Sequence, residues 1–210
     1  MAERILLEEG TRALATERAA ALLREGSIVL LPTEGVYGYH ALSGSAGVAR
    51  LEALKPRDSG KGWIALVARP ADAFRWARSV PASALALMHA HWPGPLTLVL
   101  EGGPSVPVPL LGPGGTVALR CPGSDFLRGV LLATGGLVIS TSANPPGQGA
   151  PSKPPGPGAE PQGVSLVVDA GHLTGSPSTV VQALGEQITV LREGAIRLRG
   201  SALDAPPGGP

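Results

Sequence analysis

Apolar residues recur at helical spacing near the start of the chain and then give way to a continuous apolar run. Residues 11–25 carry an apolar side chain every three or four positions, and Gly26 follows as a terminator. Residues 27–31 are almost wholly apolar and stop at Pro32, which predicts a buried strand. The same alternation predicts further helices over 45–55, 70–78, 81–92 and 124–134, and further strands over 62–68, 96–101, 116–120 and 137–141.

A segment rich in proline and glycine interrupts this alternation. Residues 145–163 hold seven Pro and five Gly, so we predict a mobile loop there. Strand-like runs resume over 164–169, 179–183 and 187–191. The pattern predicts an α/β fold: a single three-layer domain with a twisted, mixed parallel and antiparallel sheet. We expect this domain to span residues 1–197 and a flexible tail to follow over 198–210.

Composition and charge narrow the classes of function. The 210 residues are 43% hydrophobic, which fits one globular domain. A charged fraction of 16% and a net charge of +1 argue against a broadly basic nucleic-acid-binding protein. The single cysteine, Cys121, excludes an intrachain disulfide and a Cys-rich zinc site. No apolar run approaches the ~20 residues of a membrane span, and no signal peptide is visible, so we expect a cytoplasmic protein without membrane contact.

Two cations flank the proline that ends a predicted helix. Pro56 stops this helix, so Lys55 and Arg57 lie at its end and in the following loop. Arg57 can hold a phosphate or carboxylate through two parallel hydrogen bonds, and Lys55 can supply a more mobile charge. Solvated cations are also favoured at a helix C-terminus by the macrodipole. From these residues alone, a ligand-binding pair and a solvated pair at the end of a helix both stay open.

Neutral polar residues follow two of the predicted buried strands. Ser142 and Asn144 can direct a hydroxyl and an amide into the crevice at a strand end, although both residue types are also common in turns. Thr33 and Tyr37 lie in a predicted loop between a strand and a helix, where they can contact a ligand as a hydroxyl and an aromatic wall. Glu34 can orient a neighbouring cation. Together with the two cations, these groups suit an anionic small molecule.

The histidines show no metal-ligand pattern. His89 and His91 are two residues apart on a predicted helix and therefore point apart, and His40 and His172 have no partner at ligand spacing. The sequence also contains neither a Gly-x-x-x-x-Gly-Lys-Ser/Thr loop nor a Gly-x-Gly-x-x-Gly fingerprint. We therefore predict no protein-bound metal site, and a nucleotide would bind by other means.

A series of short motifs occurs in a fixed order between residues 14 and 196. They are Pro-Thr-Glu-x-x-Tyr-Gly at 32–38, Lys-x-Arg at 55–57, Pro-Gly-Pro-x-Thr at 93–97, Ala-x-Arg-x-Pro at 118–122, Ser-Ala-Asn at 142–144, Ser-Thr-Val-Val at 178–181 and Leu-Arg-x-Gly-x-Ile at 191–196. In this order and spacing they resemble the YrdC/TsaC family, the threonylcarbamoyl-adenylate synthases.

The resemblance implies a YrdC-like fold and a nucleotidyltransferase that makes L-threonylcarbamoyl-AMP from ATP, L-threonine and bicarbonate, with release of pyrophosphate. Mg²⁺ would accompany ATP. Downstream threonylcarbamoyl transferase proteins would then modify adenosine 37 of tRNA, and any contact of this chain with RNA would be weak.

The resemblance also assigns roles to residues by position. Lys55 and Arg57 would be the catalytic pair and, with Ser142 and Asn144, would hold the triphosphate and the threonine-derived carbamate. Thr33 and Tyr37 are assigned to the threonine pocket. The full implied set of substrate-binding residues is Thr33, Tyr37, Lys61, Arg120, Ser140, Ser142, Asn144, Ser178 and Arg192.

The chain departs from the family pattern in four places, one of which is the proline-rich segment 145–163, where relatives usually begin a helix. Gly35 stands where Thr or Ala is usual, which predicts a looser loop, and Tyr39-His40 replaces small or apolar residues. Residues 58–62 replace an Arg-Pro-x-x-Lys-Pro stretch but keep Lys61. These departures leave open a divergent paralogue that adenylates another carbamate. Two further alternatives are a noncatalytic RNA-binding module, which needs clustered cations, and a carbamoyl-adenylate domain of the hydrogenase-maturation type.

Overall fold

The computed structural model describes residues 1–56, 62–145 and 148–198. Arg57, Lys61 and residues 199–210 of the predicted tail therefore lie outside the described residues. Within the described ranges the strands are β1 (Glu3–Leu6), β2 (Ile28–Pro32), β3 (Tyr37–Leu42), β4 (Ile64–Leu66), β5 (Leu96–Glu101), β6 (Thr116–Arg120), β7 (Val138–Ser142), β8 (Val164–Asp169), β9 (Thr179–Ala183) and β10 (Ile188–Arg192). The α-helices are α1 (Arg12–Arg24), α2 (Ala46–Leu54), α3 (Ala73–Trp76), α4 (Ala82–His91) and α5 (Asp125–Thr134).

All of these strands belong to one sheet, in the order β1-β8-β2-β3-β7-β4-β6-β5-β9-β10. The pairs β1–β8, β2–β8, β4–β6 and β5–β9 are parallel, and the remaining neighbours are antiparallel. The predicted mixed sheet is confirmed. None of the helices in the described ranges has the length and apolar character needed to cross a membrane.

Helices pack on both faces of the sheet, which confirms the predicted three layers. On one face, Leu23 of α1 and Leu127 of α5 share a core with Val29 of β2. On the other face, α2 and α4 contribute Leu51 and Leu87 to a second, larger core. Burying side chains such as these stabilises the fold by about 1.5–3 kcal/mol each.

The face that α1 and α5 cover is left partly open farther along the sheet. Ile64 of β4, Ala118 of β6 and Val99 of β5 are only half-buried. Their sequence neighbours Ala65 and Leu119, which point to the opposite face, are fully buried. An open stretch of sheet therefore lies beyond the strands that the two helices cover.

The strand register places two polar residues at this boundary. Directly paired positions run across the sheet from Val29 to His40, from His40 to Ser140, and from Ser140 to Ile64. Paired residues on neighbouring strands point to the same face. His40 and Ser140 thus lie between the helix-covered core and the open stretch.

Two strands differ from the sequence prediction. Tyr37 begins β3 instead of lying in a strand-to-helix loop, because pairing with β2 and β7 on both sides overrides the weak strand preference of Gly38 and its neighbours. The short strand β1 contains the charged residues Glu3 and Arg4 and pairs only with β8, so its sequence lacks the signature of a buried strand. The 32–38 motif is consequently a tight connection between antiparallel strands.

Candidate active site

Lys55 meets Ser142 and Asn144 at the end of β7. The Lys55 backbone leaves the helical conformation after α2, as the Pro56 stop predicts. Its Nζ lies 3.2 Å from Ser142 Oγ and 3.0 Å from Asn144 Oδ1, and it also donates to the Ser142 carbonyl oxygen. Ser142 is the last residue of β7 and not beyond it. Three candidate residues, from segments almost ninety positions apart, therefore share one hydrogen-bonded group.

Arg192 and Ser178 form a second group beside the first. Arg192 Nη2 donates to the Ser178 carbonyl oxygen at 2.7 Å and lies 3.1 Å from Ser178 Oγ. The same hydroxyl lies 2.8 Å from Thr97 Oγ1, so buried Thr97 fixes its position. Partial removal of the guanidinium from water, together with the positive charge of Arg120, lowers the pKa of Arg192. Neutral partners thus hold the positive charge of Arg192 near that of Lys55.

Arg120 and Glu34 link the 32–38 motif to β6. One Glu34 carboxylate oxygen accepts from Arg120 Nη2, and the other accepts from the Gly123 backbone N–H. The Arg120 side chain is 9% exposed and that of Glu34 is 22% exposed. Arg120 Nε also donates to the Gly94 carbonyl oxygen at 3.2 Å. The prediction that Glu34 orients a cation is confirmed.

All three groups open into one cavity of about 360 Å³. Its lining is Thr33, Val36, Gly38, Lys55, Ile64, Arg120, Ser140, Thr141, Ser142, Asn144, Gln148, Ala150, Pro177, Ser178 and Arg192. A more apolar cavity of about 820 Å³ adjoins it on the open stretch of the sheet and shares Ile64 and Arg192 with it. The arrangement can hold an anion among cations and neutral donors, with an apolar group beside it.

The lining residues do not form a metal-binding cluster. Among the described residues, no three His, Cys, Asp or Glu side chains come close enough together to hold a metal ion. Cations and neutral donors bind phosphate oxygens rather than a metal.

A family model for the Sua5, YciO and YrdC proteins, described as telomere recombination, matches residues 21–194. This chain belongs to the Sua5/YciO/YrdC family. The threonylcarbamoyl-AMP synthase of Halorhodospira halophila (strain DSM 244 / SL1) is 38% identical over 137 residues, which cover 65% of this chain and 72% of that relative.

Solved structures of Sua5/YciO/YrdC proteins share the fold. Pyrococcus abyssi Sua5 complexed with L-threonine matches with a TM-score of 0.81 at 29% identity, over 92% of this chain and 57% of that chain. The present chain thus spans little more than half of that Sua5 protein. Escherichia coli YciO matches with a TM-score of 0.82 over 92% of this chain and 95% of that chain, and at 23% identity the likeness shows the fold alone.

Tyr37 lies differently from the sequence prediction, and the hydroxyl of Thr33 is engaged within its own turn. Tyr37 is fully buried on the face opposite the cavity, where its hydroxyl donates to the Gly171 carbonyl oxygen and accepts from the Ala170 N–H. It therefore anchors the motif and does not form a wall of the cavity. Thr33 does line the cavity, but its hydroxyl donates to the Val36 carbonyl oxygen at 2.7 Å and closes the turn.

The described part of the proline-rich segment 145–163 is tied to the 32–38 motif and helps to form the cavity of the candidate site. The Pro151 carbonyl oxygen accepts from the Tyr37 N–H at 2.9 Å, and the Ser152 carbonyl oxygen accepts from the Leu173 N–H at 2.8 Å. Gln148 and Ala150 line the cavity. The predicted mobility of the segment stays a prediction.

Gly35 allows the 32–38 motif to pack tightly. Its presence in place of the usual Thr or Ala had predicted a looser loop. A Cβ atom on Gly35 would lie 2.6 Å from the Gly175 carbonyl carbon and from the Ser176 backbone nitrogen. Real Cβ atoms essentially never come so close to backbone atoms. The segment that leads to Pro177 and Ser178 of the cavity thus crosses directly over Gly35.

Replacing Gly35 with alanine is expected to lower the free energy of unfolding by about 2 kcal/mol, because the crossing backbone must shift to admit the methyl group. Urea denaturation measures the change. Gly10→Ala is the matched control, since a Cβ atom at Gly10 meets nothing within 4 Å. Equal free energies of unfolding for the two variants would show that the backbone of residues 175–176 does not pack against Gly35.

His40 is a residue of the site region that motif reasoning missed. It is fully buried, and its Nε2 lies 3.2 Å from Ser140 Oγ. Burial lowers the pKa of His40 from its ordinary 6.5 to about 4, with a further lowering by Arg120, although the carbonyl groups of Gly38 and Val29 oppose the shift. The imidazole is therefore neutral at physiological pH. The pairing of His40 with Ser140 depends on the register between β3 and β7, which the sequence does not reveal.

The buried His40 is expected to make the fold sensitive to acid. The unfolded chain takes up a proton near pH 6.5 and the folded chain only near about 4, so stability is retained above pH 6.5 and falls as the pH drops between these values. The loss reaches about 3 kcal/mol near pH 4. Urea denaturation of the wild type and of His40→Phe at several pH values isolates this contribution. If both proteins lose equal stability on acidification, His40 is not the group responsible.

Proposed function

We propose that this chain is an L-threonylcarbamoyl-AMP synthase that condenses ATP, L-threonine and bicarbonate and releases pyrophosphate. The observation that carries the proposal is the convergence of Lys55, Ser142 and Asn144 in a cavity that Arg120 and Arg192 also line. Membership of the Sua5/YciO/YrdC family and the likeness to synthases at 38% identity support it. The L-threonine complex of Pyrococcus abyssi Sua5 supports the choice of amino acid.

The reaction needs positioning and charge neutralisation more than a covalent nucleophile. Bicarbonate and the threonine amine first give N-carboxy-threonine, with loss of water. A carbamate oxygen then forms a bond to the α-phosphorus of ATP, and the bond from that phosphorus to the bridging oxygen of pyrophosphate breaks. Two anions must be brought together, and negative charge grows on the leaving pyrophosphate. Lys55, Arg120 and Arg192 supply positive charge, and Ser140 and Ser142 supply fixed neutral groups.

The two adjoining cavities suggest how ATP is oriented. The triphosphate lies in the cationic cavity beside Lys55. The nucleoside lies over the open sheet, where Ile64, Ala118 and Val99 offer apolar surface. Arg192 borders both cavities and therefore sits where the phosphates join the nucleoside.

Mg²⁺ enters this account as part of the substrate. No carboxylate cluster to hold a resident ion is present among the described residues, and Mg²⁺ is often bound mainly through substrate phosphates. The adenylate product is handed to threonylcarbamoyl transferase proteins for modification of adenosine 37 of tRNA. Because this chemistry serves tRNA, we place the protein in the cytoplasm, with at most weak RNA contact of its own.

Pyrophosphate release, measured with single components left out, tests the proposal. We expect release that requires ATP, bicarbonate and L-threonine together. Release supported better by another amino acid would contradict threonine as the substrate and favour the divergent paralogue. Absence of release with every amino acid, combined with steeply salt-dependent RNA binding, would favour the noncatalytic RNA-binding module.

A further inference from the structure

His40 and Ser140 form a cross-strand pair behind the cavity. They are directly opposite each other in the β3–β7 register and point to the same face of the sheet. His40 is fully buried, whereas Ser140 is partly exposed and lines the cavity. The histidine therefore reaches the cavity only through the serine.

The contacts of the two side chains fix the serine hydroxyl. Ser140 Oγ lies 3.2 Å from His40 Nε2. The carbonyl groups of Gly38 and Val29 lie near the imidazole, but no group among the described residues has the geometry of a hydrogen bond to His40 Nδ1. A neutral imidazole either donates to or accepts from the hydroxyl. Only the tautomer with its proton on Nε2 donates to Ser140 Oγ. This donation restricts the rotation of the hydroxyl about its Cβ–Oγ bond and leaves its single hydrogen for an acceptor in the cavity, which Ser140 lines.

A buried histidine with one unpartnered nitrogen is costly for a fold. An apolar residue at position 40 would continue the core that contains Val29 and avoid that cost. The imidazole gains its one described side-chain hydrogen bond at Ser140, a residue of the substrate cavity. Its position thus points to a role in the site and not in stability.

We propose that His40 is a positioning residue that orients the Ser140 hydroxyl toward the anionic substrate. The inference rests on the proposed function for the identity of that substrate. A preoriented hydroxyl binds a phosphate or carbamate oxygen without first losing rotational freedom. Without His40, Ser140 still lines the cavity but its hydroxyl rotates freely.

A double-mutant cycle tests the proposal. His40→Phe keeps an aromatic ring but has no nitrogen atoms, and Ser140→Ala removes the hydroxyl. We expect each single variant to lower kcat/KM for ATP about tenfold, on the scale of one hydrogen bond to a charged group. The double variant should be no worse than either single variant, because both remove the same interaction. Multiplied losses in the double variant would overturn the proposal.

Two further variants test whether a loss of kcat/KM has a simpler explanation. His40→Gln keeps a polar group in the region of Nε2 and is expected to recover part of the activity, which a purely structural role would not require. His89→Phe makes the same exchange at an exposed histidine and should leave kcat/KM unchanged. Should His40→Phe fail to fold, the cycle is repeated with His40→Leu, which also has no polar group in the side chain. Full activity in folded His40→Phe would contradict the proposal.

Nitrogen NMR of the imidazole separates failure of this inference from failure of the proposed function. Loss of the Ser140 hydroxyl in Ser140→Ala is expected to shift the His40 Nε2 resonance in the free protein, whether or not the protein turns over ATP. Calorimetric titration with pyrophosphate then repeats the cycle as a binding measurement. An unchanged Nε2 resonance would refute the pairing itself, whereas absent turnover with a shifted resonance would refute only the proposed reaction.

Discussion

Replacing Lys55 with methionine is expected to lower kcat by about 100- to 1000-fold, the scale of losing one group that stabilises charge in the transition state. Methionine keeps most of the length of the side chain but has no ammonium group. Ser142 and Asn144, which the ammonium contacts at 3.2 Å and 3.0 Å, would then face the cavity without a cation between them. Steady-state pyrophosphate release measures the loss.

Lys153→Met is the matched control for this prediction. Lys153 is exposed and does not line the cavity, so the same chemical change there should leave kcat within about twofold of wild type. Circular dichroism and thermal unfolding show whether both variants are folded. A folded Lys55→Met protein with near-normal turnover would remove Lys55 from the catalytic machinery.

Replacing Glu34 with alanine is expected to destabilise the fold by about 3 kcal/mol. The change leaves the Arg120 guanidinium, which is 9% exposed, without its carboxylate. It also leaves the Gly123 N–H without its acceptor. Removing one partner of a buried ion pair costs about 3–5 kcal/mol, and the partial exposure of Glu34 places this pair at the lower end. Urea denaturation followed by tryptophan fluorescence measures the change.

The exposed pair of Glu3 and Arg18 provides the comparison. Their side chains are 40% and 43% exposed, and Arg18 Nε lies 2.7 Å from a Glu3 carboxylate oxygen. Water screens this pair, so Glu3→Ala should lower the free energy of unfolding far less than Glu34→Ala does. Equal losses in Glu34→Ala and Glu3→Ala would mean that the Arg120–Glu34 pair does not anchor the 32–38 motif.

The sequence is sufficient to predict most of the sheet. The strands β5, β6, β8 and β9 have the bounds that their apolar runs predict, since each strand is buried on at least one face and flanked by turn residues. By contrast, β3 is stabilised by pairing on both of its edges, which no local pattern expresses. Local preference therefore predicts the strands with a strong hydrophobic signal and misses β1 and β3, which depend on pairing with their neighbours.

The candidate site also has contacts that the sequence predicts and contacts that it does not. Motif order predicts that Lys55, Ser142 and Asn144 act together, and the structure brings them together. The contact of Gly35 with the 175–176 backbone and the pairing of His40 with Ser140 depend on register and on the path of a distant segment. Because such contacts join residues about 100 or more positions apart, neither spacing nor composition can reveal them.

Mass spectrometry of the nucleotide product tests the proposed reaction most directly. The protein is incubated with ATP, Mg²⁺, L-threonine and ¹³C-bicarbonate, and the products are analysed at once because the adenylate is labile. We predict a nucleotide whose mass equals that of AMP joined to a threonylcarbamoyl group with one ¹³C atom, formed in step with pyrophosphate. Unlabelled AMP alone, or an adenylate without the ¹³C atom, would contradict the proposed synthase activity.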